Sequence, residues 1–180
     1  MANIVFNFDG KSINNFKGST FDFIIGLHGC VFTNGCFDIL HRGHIELFKF
    51  CHNQKNSWQP VVVGINTDKS VKELKGAYRP IVALEDRVAV LGAIQWIDYL
   101  VTFDTKSVLP LINELRPTVV VKGGNYTKKA CAEKERIVGE SLVESYGGKV
   151  ITAPMVEGIS TTEIIKRALV PPMPERTGSF

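Results

Sequence analysis

Short apolar, β-branched runs alternate along this chain with longer stretches of helical period. The runs VFTN (31–34), VVVGIN (61–66), YLVTF (99–103), TVVVKG (118–123) and KVITAP (149–154) read as strands. Several are almost continuously apolar, the pattern of strands covered on both faces, as in a parallel sheet. Between them, GHIELFKFCHN (43–53), LEDRVAVLGAIQWI (84–97), KSVLPLINEL (106–115) and EKERIVGESLVESYG (133–147) carry helical periodicity. Pro110 suits a first helical turn, so its helix is expected to begin near it. The βαβαβαβ order predicts an α/β fold, a Rossmann-like doubly wound parallel sheet of about five strands in a single domain.

Both ends stand apart from this rhythm. Residues 1–28 precede the first core strand and hold a turn-like Asp9-Gly10 between apolar stretches, predicting an N-terminal extension that folds as a hairpin or an arm. Residues 29–170 form the expected main domain. The tail 171–180 has three prolines and no periodicity, so it is expected to be disordered. No internal repeat or low-complexity tract interrupts the chain.

Charge and cysteine content narrow the function classes. The 180 residues are 44% hydrophobic, enough for one sizeable core, and 21 basic against 18 acidic residues leave a net charge of +3. That balance lacks the clustered basic surface of a nucleic-acid binder. The early stretch FDFIIGLHGCVF is far shorter than the ~20 apolar residues that cross a bilayer, so no membrane insertion is expected. The four cysteines form no C-x-x-C pair, and the start MANIVFNFDG has no basic region ahead of an apolar core. Free thiols in a reducing cytoplasm follow as the expectation.

Ligands of a doubly wound sheet bind beyond the carboxyl ends of its strands. Four polar, glycine-bearing segments fall there: TNGCFDILHRGH, NTDKSVKELKGAYRP, KGGNY and EGISTT. In the first, Gly35 permits close backbone approach and Gly43 leaves room at a helix start. A helix N-terminus seats phosphate, and His41 and His44 beside it can donate hydrogen bonds to a phosphoryl group; local capping or packing is the alternative. Zinc needs further ligands, and His28 and His52 stand at no spacing that supplies them. In the second segment Asn66 and Asp68 end a strand, while Lys72, Lys75 and Arg79 form either a phosphate-closing loop beside Gly76 or a solvated basic face. Ser160, Thr161 and Thr162 exceed what one helix cap requires. Lys122 with Gly123 and Gly124 marks a tight turn or a close approach to a base or sugar. A dinucleotide site is excluded, because no G-x-G-x-x-G follows the first strand.

Taken together these residues resemble the cytidylyltransferase-like nucleotidyltransferase superfamily. His41-Arg42-Gly43-His44 matches its H-x-G-H signature and Gly158-Ile159-Ser160-Thr161-Thr162 its terminal motif. Within it the chain is similar to the nucleotidyltransferase domain of bacterial ADP-heptose synthases. Thr33–His44, Asn66 and Asp68, Leu74–Gly76 with Arg79-Pro80, Glu85 and Arg87, and Arg116-Pro117 through Tyr126 fall in that family's register. Arg42 and Asn125 depart from its usual residues. Glycerol-3-phosphate and choline-phosphate cytidylyltransferases share the Glu-Gly-Ile run at 157–159 but carry an arginine before it that this chain lacks.

The resemblance implies transfer of a nucleotidyl group from an NTP, ATP foremost, to a sugar 1-phosphate such as a heptose 1-phosphate, with release of pyrophosphate. It implies His41, His44 and Lys75 as catalytic groups. Thr33, Asn34, Gly35, Cys36, Phe37, Gly43, Lys122, Gly123, Gly124, Gly158, Ile159, Ser160 and Thr161 are implied around the nucleotide. Asp38, Asn66, Asp68, Arg79 and Arg87 are expected near the acceptor. Mg²⁺ is expected through the nucleotide phosphates rather than a protein cage, and a homodimer by family likeness alone. The rival readings are a CTP-dependent transferase acting on glycerol 3-phosphate or a similar small phosphate, and a non-catalytic nucleotide sensor.

Overall fold

A computed structural model describes residues 4–9, 13–14, 26, 28–123 and 139–169. The strands are β1 (Ile4–Phe8), β2 (Ile13–Asn14), β3 (Val31–Gly35), β4 (Val61–Asn66), β5 (Tyr99–Phe103), β6 (Val119–Gly123) and β7 (Lys149–Ala153). The helices are α1 (Arg42–Gln54), α2 (Asp68–Lys75), α3 (Leu84–Gly92), α4 (Leu109–Leu115), α5 (Glu140–Ser145) and α6 (Thr161–Leu169). One sheet holds all seven strands in the order β2-β1-β5-β4-β3-β6-β7, parallel except for the β1–β2 hairpin.

The continuous apolar runs are explained by two cores, one on each face. Val31, Val61, Val63, Ile65 and Val121 pack on the side of α1 and α3 with Phe48, Cys51 and Leu91. Their alternate neighbours Phe32, Val62, Val101 and Val120 pack on the side of α4 and α5 with Leu111, Ile112 and Val143. Every residue of β4 is buried, so no polar alternation appears in its sequence. Truncating Phe32, which is fully buried, would cost roughly 3–5 kcal/mol.

Two expectations need correction. The sheet has seven strands rather than about five, because the segment set apart as an extension supplies two of them. β1 and β2 pair as the expected hairpin (Asn7↔Asn14, Phe8↔Ile13), but β1 also lies parallel to β5 over Ile4↔Tyr99 to Phe8↔Phe103. Phe6 and Phe8 are thereby core residues. The helix expected over 84–97 ends at Gly92. Ala93, Ile94 and Ile97 then make tight i→i−3 turns that still bury Ile97. Pro110 lies in the first turn of α4 as expected. Residues 133–138, Gly124 to Tyr126 and the tail 171–180 lie outside the described residues.

Chain order creates the opening in which a ligand can sit. The chain steps from β3 to β4 to β5 with α1 and α3 on one face, then returns past β3 to β6 and β7 with α4 and α5 on the other. The reversal therefore falls between β3 and β6. β3 and β4 stay in register over five pairs, whereas β3 and β6 share only Val31↔Val119 and Phe32↔Val120. Beyond those pairs the two strands part toward their carboxyl ends. Among the described residues no helix is long and apolar enough to cross a membrane.

Candidate active site

A cleft of about 1190 Å³ opens along the carboxyl ends of β3, β4, β5 and β6. It is lined by Asn34, Gly35, Cys36, Phe37, Asp38, His41, His44, Asn66, Lys75, Arg79, Lys122, Gly123, Ser160 and Thr161 from the expected set. Where β3 and β6 part, the Lys122 ammonium donates to Asn34 Oδ1 across the gap at 2.8 Å. Burial pushes that lysine down to about 8.

The histidines are placed by the start of α1. His41 is its N-cap in extended backbone (φ −147°, ψ 170°), and its Nδ1 accepts the Gly43 amide hydrogen at 3.1 Å. An accepting Nδ1 leaves the proton of the neutral ring on Nε2. A Cβ on Gly43 would stand 3.0 Å from both Cε1 and Nδ1 of His41, so the glycine makes room for this ring rather than lining the cleft. His44, one turn on, stacks against His41 with centroids 3.8 Å apart and meets the Phe37 ring edge-on at 5.3 Å. Burial, then the neighbouring His41, pushes His44 down to about 4, and burial lowers His41 as well. Both rings are therefore uncharged near neutral pH. His44 Nδ1 is buried with no hydrogen-bond partner among the described residues.

The loop between β3 and α1 is held by the residues expected to touch the acceptor. Phe37 adopts a left-handed φ of +48°, and its ring fills the space that a Gly35 side chain would need, 3.0 Å from the Cβ position. Asp38, almost fully buried, accepts hydrogen bonds from the Ile81 and Val82 amides and pairs with Arg79 Nε. Burial works against its charge, but those amides and the guanidinium hold the carboxyl below its ordinary range. Arg87 is wholly buried. It donates to the carbonyls of Val82 (3.1 Å), Cys36 and Asn66 (2.9 Å) and to Asp68 Oδ1 (2.7 Å). Its donors are spent on the protein, and neither Arg87 nor Asp68 lines the cleft. Burial also pushes the Cys36 thiol up.

A second helix N-terminus closes the far side. Ser160 Oγ accepts the Glu163 amide hydrogen at 3.1 Å, capping α6, and Thr161 Oγ1 donates to the Ile39 carbonyl at 3.4 Å. The second bond ties the start of α6 to the loop ahead of α1, so the two helices bring their unpaired amide ends to one place. Thr162 lines the same wall. Gly158 supplies the turn before the helix with φ +74°. Ile159 lies beside Gly43, its Cγ2 3.9 Å from that residue's Cβ position, and neither Gly158 nor Ile159 lines the cleft. Thr33 is buried below it with its hydroxyl unpartnered among the described residues. Lys75 ends α2 on the opposite lip, followed by Gly76 at φ +98°.

Sequence reasoning missed one part of this wall. Phe103, Lys106, Ser107 and Val108, around the end of β5, also line the cleft, together with Leu74 of α2. The residues after β5 carry no glycine and no signature, so only the topology brings them here. Arg42 is exposed on α1 and does not line the cleft, which is why its bulk is tolerated. Among the described residues no group of three or more His, Cys, Asp or Glu side chains is arranged to hold a metal.

Uncharged N–H donors gathered over two helix N-termini suit a multiply charged phosphate chain, whose charge they offset without a counter-ion of their own. The fold is thus of the Rossmann-like class, and the candidate site lies at its switch point. Residues 32–167 match the cytidylyltransferase-like family, and the chain belongs to it. It is 46% identical over 139 residues to the bifunctional protein HldE of Syntrophotalea carbinolica, covering 77% of this chain and 26% of that protein. With the bifunctional protein HldE of Geotalea uraniireducens it shares 45% over 150 residues, 83% of this chain and 27% of the relative. The chain therefore spans about a quarter of the length of these relatives. Among solved structures, a lipopolysaccharide core biosynthesis protein from Thermoplasma volcanium is similar in fold. Its TM-score is 0.54 at 19% identity, covering 71% of this chain and 97% of that one. A macrolide-efflux protein from Streptococcus pneumoniae has a TM-score of 0.60 at 21% identity, over 91% and 57% of the respective chains.

Proposed function

We propose that this protein transfers the adenylyl group of ATP to the phosphate of a sugar 1-phosphate, a heptose 1-phosphate foremost, and releases pyrophosphate. The observation that carries the reading is the pair of stacked, uncharged imidazoles at the meeting point of two helix N-termini. The motif register with ADP-heptose synthases and the 45–46% identity to the HldE proteins support the acceptor.

An acceptor phosphate oxygen attacks the α-phosphorus in line, forming a P–O bond as the bridging bond to the β-phosphate breaks. Pyrophosphate leaves with that electron pair. A phosphate monoester is largely dianionic at pH 7, since its second pKa is about 6, so no general base is needed. The residues supply position and charge compensation. His41 donates from Nε2 to an α- or β-phosphate oxygen, and His44 joins it as negative charge builds. Ser160, Thr161 and the amides of α6 hold the terminal phosphates, and Lys75 closes over them. Asn34, Lys122 and Gly123 border the base and ribose. Asp38 and Arg79 hold the loop, and Arg87 is a positioning residue beneath it.

Asp38 is the one carboxylate among the described residues lining the cleft, and it is committed to Arg79 and two amides. That donor set fits Mg²⁺ carried in on phosphate oxygens and water, where it would neutralise phosphate charge. Three free cysteines among the described residues fit work in the reducing cytoplasm.

Pyrophosphate release is the direct test, crossing ATP, CTP and GTP against heptose 1-phosphate and glycerol 3-phosphate. Turnover with ATP and the heptose is expected, and His44→Ala should lower kcat about a hundredfold or more. Turnover confined to CTP with glycerol 3-phosphate would overturn the substrate. Unchanged kcat in the variant would overturn the site.

A further inference from the structure

The cleft extends beyond the residues assigned to the triphosphate. It runs from the β3–β6 opening past Asn66 to the residues that follow β5. β5 lies two strands from β3, so this end is roughly 10 Å from the end of β3, about the reach of a phosphorylated sugar. The wall there is a fixed one. The Phe103 carbonyl accepts from the Thr67 amide at 3.0 Å, and Asp104 holds the Thr67 hydroxyl and the Lys69 ammonium. Thr105 Oγ1 donates to the Ser107 carbonyl at 2.7 Å.

Two side chains on this wall are free to meet a ligand. Ser107 Oγ accepts the Leu109 amide hydrogen at 3.2 Å, an arrangement that leaves its own proton to donate. Lys106 is 82% exposed, and the carboxylate paired with it, Glu73, stands 4.0 Å away, a separation at which a solvated pair contributes little. The other cations of the cleft are differently placed. Arg79 is paired through Nε with Asp38, Lys122 donates to Asn34, and Lys75 is the cation assigned above to the triphosphate.

In-line displacement needs the acceptor on the side of the α-phosphorus away from the leaving pyrophosphate. With pyrophosphate at the meeting helix ends, that side is the β4–β5 end. Bringing a second dianion toward a triphosphate requires a cation there. Resting on the function proposed above, we propose that the β5 end is the acceptor subsite, where Lys106 pairs with the anionic group of a sugar-sized phosphomonoester and Ser107 donates to it. Leu74 and Phe103 form its apolar floor.

The test has two arms. In amide NMR spectra with a non-hydrolysable ATP analogue present, adding heptose 1-phosphate should shift residues 103–108. Binding that leaves these residues unmoved, or no binding, overturns the subsite. In steady-state kinetics Lys106→Ala should raise the acceptor KM about tenfold while the ATP KM stays within twofold, and Lys106→Arg should restore most of it. An unchanged acceptor KM also overturns the proposal. Shifts at 103–108 without turnover would keep the subsite and overturn the reaction instead.

Discussion

Arg87 offers the sharpest division between two accounts of this site. A buried arginine in a transferase motif can be an acceptor ligand or the tie that holds the cleft together, and replacing it with methionine separates the two. Arg87→Met removes the donors to the carbonyls of Val82, Cys36 and Asn66, at about 1 kcal/mol for each carbonyl left short of a partner. The ion pair to Asp68 adds less, since that carboxylate is 40% exposed and screened by water. The sum is about 3–4 kcal/mol, a large part of the 5–15 kcal/mol that holds an ordinary domain together. With a urea slope of about 2 kcal/mol per molar, the midpoint should fall by roughly 1.5–2 M. Arg87→Lys should fall between, because one ammonium cannot span four acceptors. The assay is equilibrium unfolding followed by tryptophan fluorescence, with KM values measured on the folded fraction. A midpoint shift below about 0.5 M together with a raised acceptor KM would refute the structural account and make Arg87 an acceptor contact.

Two further predictions concern the histidine pair. Gly43→Ala should leave the fold intact but displace the His41 ring from its 3.0 Å clearance, lowering kcat about tenfold to a hundredfold; an unchanged kcat would show that the ring's position is immaterial. His44 titrates at about 4 in the folded chain against about 6.5 unfolded, so the unfolded state binds more protons between those values. Its contribution is complete above about pH 6.5 and is lost as pH falls toward 4, amounting to at most about 3 kcal/mol. Urea unfolding at pH 4.5 and 7 should show a smaller pH difference for His44→Gln than for the wild type, and equal differences would refute the assignment.

Much of this was legible in the sequence because the two faces of the sheet are both covered. Buried strands leave long apolar runs, so β4 and β5 were read with their observed limits. The signature residues are close in sequence because helix N-termini and strand ends are close in space, and most of them line one cleft. What escaped depends on distant partners. Arg87 reads as an acceptor contact until the carbonyls of Val82, Cys36 and Asn66 are seen around it. Lys106 and Ser107 belong to no motif and reach the cleft only because β5 lies beside β4. Gly35 reads as permitting close backbone approach to a ligand and Gly43 as leaving room at a helix start. The rings of Phe37 and His41 take that space, a contact that glycine spacing alone cannot reveal.

The pairing of β1 with β5 has a bearing on how the chain comes to be folded. Phe6 and Phe8 are made before β5, so their strand must wait for a partner nearly a hundred residues downstream. The sheet thus cannot be completed in the order of synthesis, and the first strand joins an edge that β3, β4 and β5 have already raised. Until then the outer side of β5 offers unpaired amides to any extended neighbour, and the β1–β2 hairpin serves as the late-arriving guard of that edge.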